Sequence, residues 1–149
     1  MLKVPPPLIT LLVFSGMYLL SRFVPLWRFD LAWLSYIGFS LMALGIALDL
    51  IGAIQFHRAR TTVNPLKPQN SSAIVTTGLY GISRNPMYLG MLILLTGVAL
   101  VLKTLSAFLL LPLFVPLITR LQILPEETIL EKKFPADYPA YKKAVRRWL

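Results

Sequence analysis

At 149 residues the chain has room for one domain, and 56% hydrophobic against 14% charged content is too apolar for an ordinary soluble domain of that size. A net charge of +9 would suggest nucleic acid in a soluble protein, but here the cations flank apolar segments, which points to anionic lipid headgroups and argues against a nucleic-acid partner. Cysteine is absent and His57 is the single histidine, which argues against disulfides, thiolate catalysis and a Cys- or His-ligated metal.

Four apolar segments reach or approach the roughly 20 helical residues that cross a bilayer core. They run over about 7–27, 31–56, 86–102 and 105–124. Backbone groups must pair internally in lipid, and no alternating barrel pattern is present, so the expectation is an all-α integral membrane protein with four transmembrane helices. The first segment has no small-residue cleavage site after it and reads as a retained span. The short links "RFD" and "KT" predict that consecutive spans are antiparallel neighbours. Gly45, Gly52 and Ala53 suit close helix contact in the second span. Asp49 in the same span reads as a structural polar group, paired with an arginine such as Arg58 or Arg120 or set in a polar seam.

Topology follows from the basic residues. Lys3, Arg58, Arg60, Lys67 and Arg84 fall on one side with Lys132, Lys133, Lys142, Lys143, Arg146 and Arg147, while Arg28 and Lys103, with Arg22 near them, mark the other. Both termini and the central loop, 57–85, are therefore expected in the cytoplasm. That loop contains "VNPLKPQNSS", an irregular stretch suited to covering a site. The segment 125–149 reads as cytoplasmic helices. In "PEETILEKKF" Pro125 would stand in a first turn, with acids near the positive helix end. In "ADYPAYKKAVRRWL" Tyr138, Tyr141, Val145 and Trp148 share a face opposite most of the cations, as in a helix lying at the headgroups. Trp27, Trp33 and Trp148 are read as interfacial belt residues.

The chemistry-bearing stretch is "TTGLYGISRNPMYLG", Thr76 to Gly90. Pro86 suits the first turn of a helix and Asn85 the N-cap before it. The free N–H groups of that helix and the Arg84 guanidinium would then face one anion site. Gly78 and Gly81 allow close backbone approach, and Tyr80 is available to stack on a ring. Glu126 and Glu127 are adjacent acids in a chain with only six, and they would face a ligand cation or hold an arginine. Arg120, at the end of the fourth span, is expected to be paired and turned into the bundle, because an unpaired cation facing lipid is costly. His57 sits at the membrane edge and reads as an ordinary interfacial histidine, with contact to the site as the alternative. A cationic helix end beside carboxylates suits a zwitterionic ligand.

"TTVNPLKP", the Gly-Leu-Tyr turn, "SRNPMYLG", an arginine before "PEE", and "KFPADYPAYKKAVRRW" together resemble the isoprenylcysteine carboxyl methyltransferase and phospholipid methyltransferase superfamily. The resemblance runs from about Thr61 to the last residue, and its specificity lies in the order and spacing of the pieces. It implies an integral-membrane methyltransferase that uses S-adenosylmethionine and a lipophilic small-molecule acceptor, in the inner (cytoplasmic) membrane of a bacterium or archaeon. Thr77, Gly78, Leu79 and Tyr80 would line the cofactor, with Arg84, Asn85 and Tyr88 around its amino-acid portion. Glu126 and Glu127 match the family's acid pair, one of which should bind the cofactor, and Glu127 is assigned to catalysis as well. Arg120 would orient an acceptor carboxylate, whereas an amine acceptor would need Glu126 or Glu127 as base.

Asn85 and Thr77 stand where eukaryotic members have histidine; asparagine keeps the donors but cannot titrate near neutrality. Sterol-reductase-type membrane enzymes share a similar turn and use a nicotinamide cofactor, but they are longer, and the Glu-Glu pair favours the methyltransferase. A non-catalytic lipid- or nucleotide-binding membrane module is the third alternative.

Overall fold

The computed structural model describes residues 4–59 and 70–149. Lys3, Arg60 and Lys67, used above for topology, lie outside the described residues, as does most of "VNPLKPQNSS". The described chain is helical, without strands: α1 (Pro6–Phe23), α2 (Trp33–Arg58), a 3₁₀ turn (Gly78–Gly81), α3 (Pro86–Leu102), α4 (Leu105–Phe108), α5 (Leu111–Ile118), a π-helical turn (Thr119–Ile123), α6 (Leu124–Lys133) and α7 (Asp137–Ala144). Three helical stretches are long and apolar enough to cross a membrane: α1, α2 and the run from Leu105 to Lys133. The apolar α3 is shorter, at 17 residues.

Local chemistry sets the boundaries. Pro5, Pro6 and Pro7 open α1, where missing N–H groups cost nothing. The helix stops before Pro25, because the residue preceding proline is driven out of the α region; Val24 sits at φ −131°. The first span thus ends four residues earlier than the apolar pattern indicates. α3 ends at Lys103, which takes a left-handed conformation at φ 52°.

The fourth apolar segment does not end at Leu124. It continues through the π turn into α6, so Glu126 and Glu127 lie inside a continuous helical run rather than at a free positive helix end. Pro125 has no N–H and its ring crowds the carbonyl four residues back, and the wider π turn before it accommodates both. That turn directs Gln122 and Ile123 inward, where both are fully buried.

α2 and α3 form the main helix pair. A side chain on Gly38 would come within 2.7 Å of the Gly97 carbonyl, and one on Gly45 within 2.5 Å of the Gly90 carbonyl. These glycines recur every seven residues on both helices, letting the backbones meet closely along one seam. α1 packs instead on α3, α4 and α5. The expectation that the first two helices are neighbours is therefore corrected: α3 supplies the main partner face for α2, because only α3 offers matching glycines. Met17, Leu95, Ala99, Phe114 and Ile118 fill the core between α1, α3 and α5. The outward faces carry large apolar side chains such as Leu12, Phe23, Tyr36 and Leu50.

At the end where α1 and α3 finish, two links are sewn together. Phe29 N–H donates to the Lys103 carbonyl at 2.9 Å, and Leu105 N–H to the Leu26 and Trp27 carbonyls at 3.0 and 3.1 Å. Leu26 N–H also donates to Ser106 Oγ at 2.7 Å, and the Ser106 hydroxyl donates to the Val24 carbonyl.

α7 does not lie free at a headgroup plane. Tyr138, Tyr141 and Val145 turn inward onto Ile74, Leu130 and Phe134, and Trp148 packs against the main core.

Candidate active site

A cavity of about 260 Å³ opens where the first turns of α1 and α3 meet α6 and α7. Pro6 and Pro7 form one wall, Phe56, Met87, Met91 and Ile123 another, and Ser71, Ala73, Ile74 and Val75 close the side reached by the central loop. Of the residues expected at the site, Tyr80, Arg84, Asn85, Tyr88, Glu126 and Glu127 line it. Thr77, Gly78 and Leu79 do not; they form the back of the turn that carries Tyr80. Gly78 has φ +62°, a conformation that side-chain-bearing residues resist, and the Gln55 amide occupies the space where a Cβ would stand. The turn delivers the Tyr80 ring edge-on to Phe56, with centroids 4.9 Å apart.

Arg84 is the central polar group. Its side chain is 9% exposed, and Nη1 stands 3.3 Å from Glu127 Oε1. Neither Nη1 nor Nε has a hydrogen-bond acceptor among the described residues. Buried guanidinium donors without acceptors are expensive, so two of them on a residue that lines the cavity mark a place for an anion. The same turn starts α3: Asn85 occupies the N-cap position and Pro86 the first turn, as expected. The Asn85 side chain does not cap the helix, however. Its amide donates to the Arg147 carbonyl at 2.9 Å, while its own N–H donates to Ser83 Oγ at 3.1 Å.

The two acids have different surroundings. Glu127 is buried and held bidentately by Arg147, with Nε 3.0 Å from Oε1 and Nη2 2.8 Å from Oε2, in addition to the ion pair with Arg84. Glu126 has no cation paired to it among the described residues and accepts from the Tyr88 hydroxyl at 3.0 Å. Burial pushes the Tyr80, Tyr138 and Tyr141 hydroxyls up, Tyr141 to about 12, where nearby Arg84 partly offsets the rise. All three stay neutral donors at physiological pH. The Tyr141 hydroxyl donates to the Tyr80 carbonyl at 2.7 Å and ties α7 to the turn. Donating to the Glu127 carboxylate raises the Arg147 pKa, so that guanidinium remains charged.

The expectation for Arg120 is corrected, while Asp49 and His57 take one of the places read for them. Arg120 is exposed, lies outside the cavity lining and makes no ion pair among the described residues. The π turn directs Gln122 and Ile123 inward and leaves Arg120 outside. Asp49 pairs with neither Arg58 nor Arg120 among the described residues; its Oδ1 is buried against Gly90 in the α2–α3 seam. His57 is exposed and does not reach the cavity lining. One residue was counted in the sequence only as a cytoplasmic charge, and that is Arg147. Its partner Glu127 is 20 residues away, a separation that carries no local pattern.

Against known proteins, the phospholipid methyltransferase family profile matches residues 33–137, from the start of α2 to the start of α7. An uncharacterised protein of Haemophilus influenzae is 44% identical over 63 residues, covering 42% of this chain and 100% of that protein. No solved structure matches.

Proposed function

The chain belongs to the phospholipid methyltransferase family, within the isoprenylcysteine carboxyl methyltransferase-like superfamily, and we propose that it transfers a methyl group from S-adenosylmethionine to a lipidic amine at the cytoplasmic membrane edge. The family assigns a membrane methyltransferase acting on lipids; the cofactor, the acceptor and the residue roles are our reading. One observation carries it: the buried Arg84 guanidinium, with two donors lacking acceptors, beside the cation-free carboxylate of Glu126. That pair of poles fits the carboxylate and ammonium of an amino-acid moiety. In this reading four spans hold the cavity at the cytoplasmic side of a bacterial or archaeal inner membrane, with both termini in the cytoplasm.

The residues divide the work as follows. Arg84 takes the cofactor's carboxylate through an unfilled donor, beside the free N–H groups at the start of α3. Glu126 faces its ammonium, oriented by Tyr88. Tyr80, with Phe56 behind it, offers an aromatic surface to the base. Thr77, Gly78 and Leu79 act through the shape of the Tyr80 turn, and Asn85 by fixing that turn to the chain's last residues. Glu127 orients Arg84 rather than touching the acceptor. When bound, S-adenosylmethionine supplies an electrophilic methyl group on a sulfonium, so the chain has mainly to align the acceptor and exclude water. The apolar wall of Met87, Met91 and Ile123 serves that purpose.

The acceptor preference rests on charge. A carboxylate acceptor needs its own cation, but Arg120 is outside the cavity and Arg147 is committed to Glu127. An amine acceptor, attacking as the free base, needs no cation of its own in the cavity.

Calorimetry of the purified protein in detergent with S-adenosylhomocysteine and, separately, NADPH tests the cofactor. Binding of NADPH without S-adenosylhomocysteine would overturn the reading in favour of a reductase. Labelled S-adenosylmethionine incubated with aminophospholipid and with prenylcysteine vesicles tests the acceptor, and label only in the latter would overturn the amine assignment.

A further inference from the structure

Glu127 has two oxygens and two arginine suitors. Arg147 takes both oxygens through its fork, at 3.0 and 2.8 Å, leaving Arg84 only a lateral approach at 3.3 Å to Oε1. The consequence appears on Arg84: Nε and Nη1 are buried without an acceptor, although a carboxylate lies against the same guanidinium. Were Glu127 released from Arg147, nothing among its described hydrogen-bond partners would keep it from closing on Arg84 Nη1, from which it already stands 3.3 Å, and filling that donor. An anion arriving at the cavity would then meet a neutralised arginine.

The backbone around Arg147 is fixed to the same turn. Arg84 N–H donates to the Arg146 carbonyl at 3.0 Å. Asn85 Nδ2 donates to the Arg147 carbonyl at 2.9 Å, and Ser83 Oγ approaches that oxygen at 3.4 Å. Trp148 is anchored in the core beyond it. The guanidinium of Arg147 is thus delivered to Glu127 by a strap bonded to the very residues it serves.

We propose that Arg147 is a positioning residue that holds the Glu127 carboxylate off Arg84, keeping the Arg84 donors free for an anionic ligand. The inference rests on the proposed cofactor reading. It makes the last turn of chain part of the anion site without its touching the ligand.

The test is a double-mutant cycle read by calorimetry with S-adenosylhomocysteine on the full chain in detergent. Arg147→Ala should weaken binding about tenfold, less than for a fully buried pair because the Arg147 side chain is 36% exposed. In a Glu127→Gln background residue 127 carries no charge to quench Arg84, so adding Arg147→Ala should change affinity by no more than about twofold, the usual error of additivity. A tenfold loss in both backgrounds would mean that Arg147 acts independently of Glu127 and would overturn the inference. Wild-type affinity in Arg147→Ala would overturn it too, while leaving the cofactor reading intact. Failure of the wild-type chain to bind would overturn both. Lys142→Ala, which breaks the exposed pair with Glu131, should leave affinity unchanged and controls for general loss of charge. If Arg147→Ala does not fold, Arg147→Lys carries the same cycle, since it keeps the strap and the charge but loses the fork.

Discussion

The Tyr88 hydroxyl of α3 donates to Glu126 of α6 across 3.0 Å, joining residues 38 positions apart at the edge of the cavity. This bond holds the cation-free acid at the site in place. Tyr88→Phe removes the hydroxyl and nothing else, so thermal stability should fall by at most about 1.5–3 kcal/mol, the range for a hydrogen bond to a charged group. Affinity for S-adenosylhomocysteine should fall with it, about threefold to tenfold by calorimetry. Unchanged affinity would remove Glu126 from the cofactor site.

Arg84→Ala should abolish measurable binding of S-adenosylhomocysteine. Arg84→Lys should not restore it, because an ammonium on a flexible stem cannot place donors in the fixed directions of the guanidinium Nε and Nη1. Recovery by lysine would show that charge alone matters at this position.

Arg120→Ala separates the two acceptor chemistries. With the side chain outside the cavity, both cofactor affinity and turnover on an aminophospholipid should match the wild type. A drop in turnover at unchanged cofactor affinity would return Arg120 to the acceptor site and favour a carboxylate.

Gly78→Ala faces two costs at once: about 1–2 kcal/mol for a left-handed backbone, and the Gln55 amide in the way of the methyl group. Gln55→Ala added to it should relieve the second and leave the first. Stability by thermal melting should therefore rise between the single and double variants without reaching that of Gln55→Ala alone.

Gly45→Ala tests the seam. The added methyl would stand 2.5 Å from the Gly90 carbonyl and 2.8 Å from Leu94 N, so α2 and α3 must part. A loss of about 1–3 kcal/mol in detergent is expected, and with it a shift of Met87, which faces Gly52 one helical segment along and lines the cavity. Unchanged melting would mean that the two helices adjust at no cost.

The sequence made the helices and the motif legible because both are local. Apolar runs marked every long helix, and Asn85-Pro86 placed the start of α3 at the residue where it is found. Six of the ten residues proposed for the site line one cavity, since the motif and the acid pair supply matching chemistry. Partners and facing directions were not legible. The apolar face of Tyr138, Tyr141 and Val145 suits either a lipid surface or a protein groove, and periodicity does not distinguish them. Arg120 was expected inside on energetic grounds, but the π turn that leaves it outside depends on how the helix passes Pro125. Arg147 was hidden among the tail cations, since nothing near it in sequence distinguishes it from Arg146.

The links sewn between Val24–Phe29 and Lys103–Ser106 lie at the opposite end of α1 and α3 from Pro6 and Pro86, whose turns meet at the cavity. The bundle is consequently built like a pair of tweezers with its fulcrum at the far side. Any parting of α1 from α3 pivots there and opens widest at the other end, where their first turns border the cavity.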